Sequence, residues 1–385
     1  MHIRNLYYSF VEMDNPFIYN KAVTGDYFVG HDSLVQSLHH QFKQHRHTLI
    51  EGPFGWGKTS LVSESINRLA YGGDTYPHCW IDCLPFRSEQ AFYQGLIRNI
   101  AKTLAKDEPW HQLATRALQQ RSIAFSFRSL EHSFVLELFD IERNYAEILD
   151  LIELLAREQK VKLLVCLDNF ENLSHVKDPN VLSQRLRSIW QHHHQVTYCF
   201  ISRARDFLHK LFESNIASFH SFGEVIHLTK LDAELLVQFI CKQFCLTGKE
   251  IAHKHSLALV NHMQGHPYYV QLLAHTVWAQ TDNKVLGTTI IQGLELMLAR
   301  QAILFETVLA EISNSQFNYL KALASGLKSG FTKQKVLERF QLGSSANVIK
   351  IQRALIKKEV IMAGELGYQF QDPAFALWFK WNILK

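Results

Sequence analysis

A glycine-rich segment, GPFGWGKTS (52–60), contains the residue types that bind a polyphosphate. It fits the pattern G-x-x-x-x-G-K-[ST], with Gly52, Gly57, Lys58 and Thr59 at the fixed positions. A polyphosphate needs several backbone N–H groups pointing inward, and glycines allow the chain to curl that tightly. Lys58 can neutralise the β- and γ-phosphates, and the Thr59 hydroxyl can ligate Mg²⁺. The segment therefore predicts a nucleotide-binding loop formed by Gly52, Pro53, Phe54, Gly55, Trp56, Gly57, Lys58, Thr59 and Ser60.

A second stretch, LLVCLDNFENL (163–173), ends a run of buried-strand residues on an acid, Asp168. An acid at a strand tip that faces a phosphate loop can bind Mg²⁺ through water, so we expect Asp168 to share the metal with Thr59. Hydrolysis also needs a group that orients and polarises the attacking water. Asn169 can orient a water but cannot accept its proton. Glu171 has the right chemistry for that role, but it can equally be a first-turn helix acid favoured by the helix dipole.

These residues need a scaffold, and the chain between about residues 48 and 230 predicts one. Short apolar strand candidates alternate there with longer amphipathic helices, which is typical of a parallel sheet covered on both faces by right-handed crossovers. The strand candidates are 47–52, 78–83, 161–168, 196–202 and 223–229, and the helix candidates are 59–71, 89–105 and 145–159. A hairpin over 124–139 is expected before the third strand.

The rest of the chain predicts two further domains. After residue 230 the strand signal stops, and helical segments up to residue 310 predict a helical subdomain. Three short helices then follow, with Thr332 and Ser344 as expected N-caps, before two extended runs around a glycine-containing turn. Three helices and a hairpin are typical of a winged helix, on which a closing helix would pack. The expected domains are residues 1–230, 231–310 and 311–385.

Composition restricts the class of protein. With 47% hydrophobic and 20% charged residues, the 385-residue chain is globular and long enough for two or three domains. No apolar run approaches the roughly 18 residues of a membrane span, and the N-terminal segment lacks the apolar core of a signal peptide. Six cysteines without CxxC spacing indicate a reduced protein. We therefore expect a cytoplasmic location and no membrane partner.

Histidine is unusually frequent, at 21 residues, and it clusters at 39–47 and 192–194. The spacings match no zinc pattern. Both clusters lie in polar helical or loop contexts, so we interpret them as solvated faces in preference to a metal site.

The chain resembles P-loop NTPases of the STAND group (signal-transduction ATPases with numerous domains), including the compact archaeal-type ATPases. The resemblance covers most of the chain, and the phosphate loop is its most specific part. The entry segment, NPFIYNKAVTGDYFVGHDSLVQSL (15–38), is similar to the family's N-terminal motif. In that motif a hydrophobic-Gly pair, here Val29 and Gly30, abuts the base of the nucleotide. The family usually has Arg after this glycine, whereas this chain has His31.

Two strand ends carry the resemblance further. In one branch of the family, strand three ends in Asp-Asn followed by an aromatic residue and an acid, as LLVCLDNFENL does. In CFISRARDFL, Arg203 matches an arginine that follows strand four in the family and senses the γ-phosphate. Arg205 is a weaker candidate for the same role.

The segment GHPYYVQLLA (265–274) is similar to the family's Gly-x-Pro motif, by which the helical lid contacts the nucleotide. This implies nucleotide contact by Pro267, with His266 as a further candidate; a bare helix start is the alternative. As a whole the resemblance implies an α/β P-loop NTPase of the ASCE type with a parallel sheet, an α-helical lid and a C-terminal winged helix. It implies ATP and Mg²⁺ as cofactors and a catalytic set of Lys58, Asp168, Glu171 and Arg203.

Basic charge is concentrated in the C-terminal segment. From Glu311 to Lys385 there are 11 Lys and Arg against 5 Asp and Glu, although the whole chain has a net charge of only +4. Four cations lie on the helix that would serve for recognition in a winged helix, and its apolar face would be Val348, Ile351 and Leu355. Contact with DNA phosphates is one interpretation, and a protein-interaction or structural module is the other. The four cations are Lys350, Arg353, Lys357 and Lys358.

The leading hypothesis is an ATP-binding, Mg²⁺-dependent switch of the STAND type with slow hydrolysis. Bound triphosphate would control the helical lid and winged helix, and turnover or exchange would release them for a protein partner or for self-association. The alternative is a DNA-binding ATPase that assembles on DNA through its winged helix. A third possibility is a scaffold that holds nucleotide without hydrolysing it. A small-molecule kinase is disfavoured, because nothing resembles an acceptor-binding lid.

Overall fold

The computed structural model describes residues 14–71, 76–106, 108–130, 133–203, 219, 221–364 and 366–384. The described chain forms two compact units. The first spans residues 22–229, and the second comprises the described residues up to 21 together with those from 230 onward. Arg205 lies outside the described residues. The division into three domains stays a prediction.

A five-stranded parallel sheet forms the centre of the first unit, with strand order β2-β5-β6-β1-β7. All five predicted strands are confirmed, and so is the hairpin, which β3 and β4 form as a separate antiparallel pair. The apolar runs of the central strands reflect a sheet that is covered on both faces. The strands are β1 (Thr48–Glu51), β2 (His78–Asp82), β3 (Phe125–Leu130), β4 (Ser133–Leu138), β5 (Leu163–Asp168), β6 (Val196–Ser202) and β7 (Glu224–His227).

Helices cover both faces of this sheet. Successive strand residues point to opposite sides, so each strand contributes side chains to both layers. Val165 and Leu167 of β5 join an apolar cluster with the helices α3 to α6, whereas Leu164 and Cys166 join a cluster with α1 and α2. The sequence predicted α2, α3 and α5. The helices are α1 (Asp32–Lys43), α2 (Lys58–Tyr71), α3 (Glu89–Leu104), α4 (Trp110–Gln120), α5 (Ile141–Glu158) and α6 (Pro179–Trp190).

The carboxyl ends of the five parallel strands meet at one edge of the sheet. The strands end there in Glu51, Asp82, Asp168, Ser202 and His227. In open α/β sheets, ligands bind outside this edge. The candidate site is therefore expected at this edge.

The described part of the second unit consists mainly of helices and contains one short hairpin. Its first helices are α7 (Ala233–Leu246), α8 (His253–His262), α9 (Pro267–Ala279) and α10 (Gly287–Ala310). They are followed by α11 (Asn314–Ala324), α12 (Gln334–Arg339), α13 (Ser345–Lys357), β8 (Ile361–Gly364), β9 (Gly367–Phe370) and α14 (Pro373–Ile383). The predicted order of three helices, a hairpin and a closing helix is present. Its assignment as a winged helix stays a prediction.

The two N-caps predicted in this segment differ in outcome. The Ser344 hydroxyl accepts a hydrogen bond from the Asn347 N–H at 3.2 Å, which confirms it as the cap of α13. The prediction for Thr332 is wrong by one residue, because Lys333 occupies the N-cap of α12 without a side-chain capping bond. A short helix fixed by neighbouring contacts can start without a capping side chain, so cap residues alone locate its start only approximately.

The entry segment is divided between the two units. Asn15 Nδ2 donates to the backbone oxygen of His275 at 2.9 Å, and the His275 ring lies 2.9 Å from the backbone oxygen of Phe17. The Phe17 side chain is buried against Phe239 and Phe244. Residues 15–21 therefore belong to the helical unit, and only the later part of the entry segment belongs to the sheet unit.

Two histidines contradict the interpretation of their clusters as solvated faces. His193 is buried, and its Nδ1 lies 2.9 Å from the Tyr198 hydroxyl oxygen. The His47 ring stacks on Phe222 at a centroid distance of 4.3 Å. Burial lowers the pKa of His193 to about 3 and the pKa of His47 to about 4. Both rings are therefore neutral at pH 7, His193 in the packed interior and His47 half-buried beside it.

Acidification should destabilise the first unit through these rings. Since the pKa of His193 is about 3 in the folded protein and 6.5 ordinarily, the unfolded chain binds more protons below pH 6.5. Each pH unit below 6.5 should cost roughly 1.4 kcal/mol of unfolding free energy per such histidine. His193→Gln should flatten the pH dependence of urea unfolding between pH 7 and 5, whereas His192→Gln at the exposed neighbour should not. The same pH dependence in all three proteins would contradict this.

Among the described residues, no helix has both the length and the apolar character needed to span a bilayer. Nor does the described part of the chain gather three or more His, Cys, Asp or Glu side chains that could hold a metal ion by themselves.

Candidate nucleotide site

The glycine-rich segment forms the loop between β1 and α2, and its backbone explains three of its residues. Gly55 and Gly57 have φ of 72° and 88°, in the left-handed region that favours glycine. A Cβ at Gly52 would lie 3.0 Å from the Cβ of Leu228, so only glycine fits there without displacing its neighbour. The loop thus has the tight curvature that a phosphate-binding loop requires.

Lys58 is the first residue of α2, and its side chain lies back along the loop. Its Nζ donates to the backbone oxygens of Gly52 at 2.7 Å and Pro53 at 2.9 Å. The N-terminus of α2 opens into the same loop, and its N–H groups and dipole favour an anion there. Trp56 packs against the apolar cluster beneath the loop, whereas Phe54 is exposed. The loop therefore presents a cation and a helix N-terminus together.

Thr59 and Asp168 come together at the end of β5. The Thr59 hydroxyl donates to Asp168 Oδ2 at 3.1 Å, and the Asn169 N–H donates to Oδ1 at 2.8 Å. Burial raises the pKa of Asp168, although these hydrogen bonds and the charge of Lys58 act in the opposite direction. A hydroxyl and a partly buried carboxylate are hard oxygen ligands of the type Mg²⁺ takes. These two residues therefore fit the metal role that the sequence predicted for them.

Asp82 is a residue of this site that the sequence analysis missed. It ends β2 and is the register partner of Asp168 on the neighbouring strand. The negative charge of Asp82 contributes, after burial, to raising the pKa of Asp168. Its Oδ1 accepts hydrogen bonds from Asn169 Nδ2 and from the Leu84 N–H, both at 2.9 Å. The acid at the end of HCWID was visible in the sequence, but the adjacency of β2 and β5 was not.

The backbone of Asn169 explains part of its identity. Its φ of 52° and ψ of 39° are left-handed, and it precedes a 3₁₀ helix over Phe170–His175. Asparagine tolerates this conformation better than most residues. The Asn169 side chain donates a hydrogen bond from Nδ2 to Asp82 Oδ1.

Glu171 contacts the end of β6 through both carboxylate oxygens, although only Oε2 accepts hydrogen bonds there. Its exposed fraction is 7%, and its Oε2 accepts hydrogen bonds from the Ser202 hydroxyl at 2.6 Å and the Arg203 N–H at 3.3 Å. The Arg203 guanidinium forms an ion pair with Glu171, with Nε 3.1 Å from Oε1. Glu171 is therefore held in place by the arginine that was predicted to sense the γ-phosphate.

The later part of the entry segment lies along the first turns of α2. The Val23 N–H donates to the Ser60 hydroxyl at 3.2 Å, and the Gly25 N–H donates to Glu64 Oε2 at 2.8 Å. Glu64 is buried and paired with Arg68 at 2.8 Å. These bonds fix the segment that leads to the expected base-binding pair.

Val29 and Gly30 are half-buried at the end of this segment, just before α1. Gly30 and His31 both have left-handed backbones, with φ of 74° and 57°. Burial lowers the pKa of His31, so the ring is neutral at pH 7. His31 therefore brings no charge to the position where the resembling family has arginine.

Pro267 belongs to the second unit, where it starts α9 at the first helical position. His266 precedes it and is buried, with its ring centroid 4.9 Å from that of Tyr269. The Tyr269 hydroxyl donates to Asp372 Oδ2. Asp372 caps α14, since its Oδ1 accepts the Ala374 N–H at 2.8 Å. The first turn of α9 is thus tied to the start of α14 within one unit.

The four predicted cations are exposed, three on α13 and Lys358 at its C-cap, and Val348, Ile351 and Leu355 form the buried face of α13 as predicted. Lys358 differs from the other three cations, because its Nζ donates to the backbone oxygen of Glu311 at the end of α10. Lys350, Arg353 and Lys357 thus form the basic surface of α13.

The fold and the residues at the strand edge define the chain as a P-loop NTPase. Residues 19–364 match the model of the family described as Novel STAND NTPase 1. Because this match covers most of the chain, the chain belongs to that family.

Solved structures share the fold at low sequence identity. A Walker-type ATPase of Pyrococcus abyssi is 15% identical, with a TM-score of 0.69 over 95% of this chain and 99% of that one. The ORC1 protein of Aeropyrum pernix, solved in complex with DNA, is 12% identical, with a TM-score of 0.50 over 93% of this chain and 94% of that one. At these identities the likeness shows the fold alone. No curated protein matches the chain.

Proposed function

We propose that the chain is an ATP-binding, Mg²⁺-dependent molecular switch that hydrolyses ATP slowly. The main support comes from the end of β5. Thr59 and Asp168 form a pair of oxygen ligands suited to Mg²⁺ there, but the residue that follows Asp168 is Asn169. Asparagine cannot accept the proton of an attacking water. The next acid, Glu171, is bound by Ser202 and Arg203. Such a site supports tight nucleotide binding and slow turnover.

Each residue then has a defined part in nucleotide binding. The loop N–H groups and Lys58 would hold the β- and γ-phosphates. Thr59 and Asp168 would hold Mg²⁺, which neutralises phosphate charge when bound. Val29 and Gly30 would contact the base, and Pro267 would contact the nucleotide from the helical unit.

Arg203 would distinguish ATP from ADP. Its guanidinium is about 40% exposed while its Nε remains paired with Glu171. A fixed positive charge suits a γ-phosphate, because a guanidinium has five N–H groups and can bind two anions at once. Loss of the γ-phosphate would remove an anion that Arg203 binds in the ATP state, and this change would be the switch signal.

Pre-steady-state kinetics test this proposal. We expect nucleotide binding with turnover below roughly 1 s⁻¹, the lower end of typical enzyme rates. Rapid, steady turnover would contradict a switch. Tight ATP binding with no phosphate release at all would instead identify a nucleotide-holding scaffold.

The alternative function is an ATPase that acts on DNA. The exposed cations Lys350, Arg353 and Lys357 on one helix support it, together with the basic balance of the C-terminal segment. The likeness to an ORC1 protein that was solved in complex with DNA favours the same test. A basic helix surface of this kind binds phosphates through charge and counterion release.

If α13 contacts DNA, the double variant Arg353→Ala/Lys357→Ala should weaken binding to duplex DNA. Removing two phosphate contacts should also reduce the slope of log affinity against log salt by roughly 2. Fluorescence anisotropy at several salt concentrations measures both quantities. Lys177→Ala, at an exposed lysine of the sheet unit, serves as the control. Binding that is absent in the wild type, or equal in all three proteins, would exclude this function for α13.

A further inference from the structure

Asp82 has no part in the phosphate loop or the metal pair, yet it is fixed beside them. It is in register with Asp168, and the pairing of β2 and β5 continues one residue further, where the Cys83 N–H donates to the Asp168 backbone oxygen at 2.8 Å. Its carboxylate is held by the Leu84 N–H at 2.9 Å. Asp82 is therefore a rigid acceptor at the edge of the sheet.

The bond from Asn169 to Asp82 determines which way the Asn169 amide faces. A carboxylate only accepts hydrogen bonds, so the group that Asn169 turns towards Asp82 must be its NH₂. Nδ2 indeed lies 2.9 Å from Asp82 Oδ1. The carbonyl oxygen is on the other branch of the planar amide and therefore faces away from Asp82. A neutral side chain at position 82 with both donor and acceptor groups would not impose this orientation.

We propose that Asp82 is a positioning residue, which holds the Asn169 amide so that its carbonyl oxygen orients the water that attacks ATP. This inference rests on the proposed function. In the reaction, the water oxygen bonds to the γ-phosphorus while the bond from that phosphorus to the bridging oxygen breaks, with its electron pair leaving on ADP. The water proton passes to an oxygen of the departing phosphate, and Asn169 takes no proton. Asp82 thus fixes the orientation of the Asn169 amide, and the absence of a base at position 169 keeps the reaction slow.

An exchange of the two side chains tests the inference. Asp82→Asn should lower kcat about tenfold, since a misplaced reacting group costs one to two orders of magnitude. The dissociation constant of a non-hydrolysed ATP analogue should stay within about twofold of wild type. In Asp82→Asn/Asn169→Asp, the new acid accepts a bond from the new amide, so the pair re-forms with reversed polarity. The double variant should have a higher kcat than Asn169→Asp alone, because the single variant places two carboxylates, at positions 82 and 169, where they repel each other.

The sign of the Asp82→Asn effect is therefore the decisive result. A loss of kcat in the wild-type background and a gain of kcat in the Asn169→Asp background support the positioning role of Asp82. Equal losses in both backgrounds, or no effect in the wild type, overturn it. Asp178→Asn should behave as wild type. Asp178 is exposed and occupies the N-cap position of α6, but its side chain makes no capping hydrogen bond. Slow phosphate release that Asp82→Asn leaves unchanged overturns this inference alone, whereas absence of analogue binding, or analogue binding without any phosphate release, overturns the proposed function as well.

Discussion

Replacing Lys58 with alanine should weaken ATP binding by about 10- to 100-fold, which corresponds to one lost charge-assisted hydrogen bond of 1.5–3 kcal/mol. Lys58 Nζ lies beside the backbone oxygens of Gly52 and Pro53, at the N-terminus of α2. No other lysine of the phosphate loop can replace it, since the segment 52–60 contains one. Isothermal titration with a non-hydrolysed ATP analogue measures the effect.

Two controls separate loss of charge from loss of structure. Lys177→Ala removes an exposed lysine from the same unit and should bind the analogue as wild type does. Lys58→Arg keeps the charge but changes its shape, so it should bind more tightly than Lys58→Ala but less tightly than wild type. Equal affinity of Lys58→Ala and wild type would exclude the phosphate-loop assignment.

Replacing Asp168 with asparagine should reduce Mg²⁺-dependent phosphate release by about 100-fold or more, as expected when electrostatic support of a phosphoryl transfer is lost. Asp168 is the carboxylate that Thr59 contacts, and burial and the neighbouring Asp82 raise its pKa. Removing that charge relieves an unfavourable environment in the nucleotide-free protein. The melting temperature without nucleotide should therefore be equal to or higher than that of the wild type.

The two readouts together distinguish a metal ligand from a structural acid. A structural role predicts lower stability and nucleotide binding that falls with it. A metal role predicts retained stability, and nucleotide affinity in EDTA that is unchanged. Asp178→Asn is again the matched control, and a fall in the melting temperature of Asp168→Asn by several degrees would contradict the metal role.

The strands and the phosphate loop were predictable because each depends on local sequence. The parallel strands are near-continuous apolar runs, and the loop has a fixed spacing of glycines ending in Lys58 and Thr59. The side-by-side placement of Asp82 and Asp168 was not predictable, since strand order is set by crossovers that leave no trace in the strands themselves. The helices α1, α4 and α6 were also not predicted, although their buried faces have helical spacing.

Side-chain roles depended on partners that are distant in sequence. The sequence left Glu171 open between a catalytic acid and a helix-start acid, and the structure adds a third role, that of a partner for Ser202 and Arg203. From the sequence, Asn169 was interpreted only by the chemistry of its side chain, which can orient a water but cannot accept its proton. Its left-handed backbone and its bond to Asp82 require the fold to be known. His193 looked solvated because its neighbours are polar, but its ring is buried against Tyr198.

The proposed switch requires that the bound nucleotide sets the conformation of the helical unit. Hydrogen–deuterium exchange with Mg²⁺ and either a non-hydrolysed ATP analogue or ADP tests it most directly, because exchange reports local opening along the whole chain. We predict that the amides of α9 and α14 exchange at different rates in the two states. Tyr269→Phe should keep the difference in α9 and lose it in α14, since it removes the bond to Asp372, and Tyr268→Phe should keep both. Identical exchange in the two nucleotide states, with both nucleotides bound, would contradict the account.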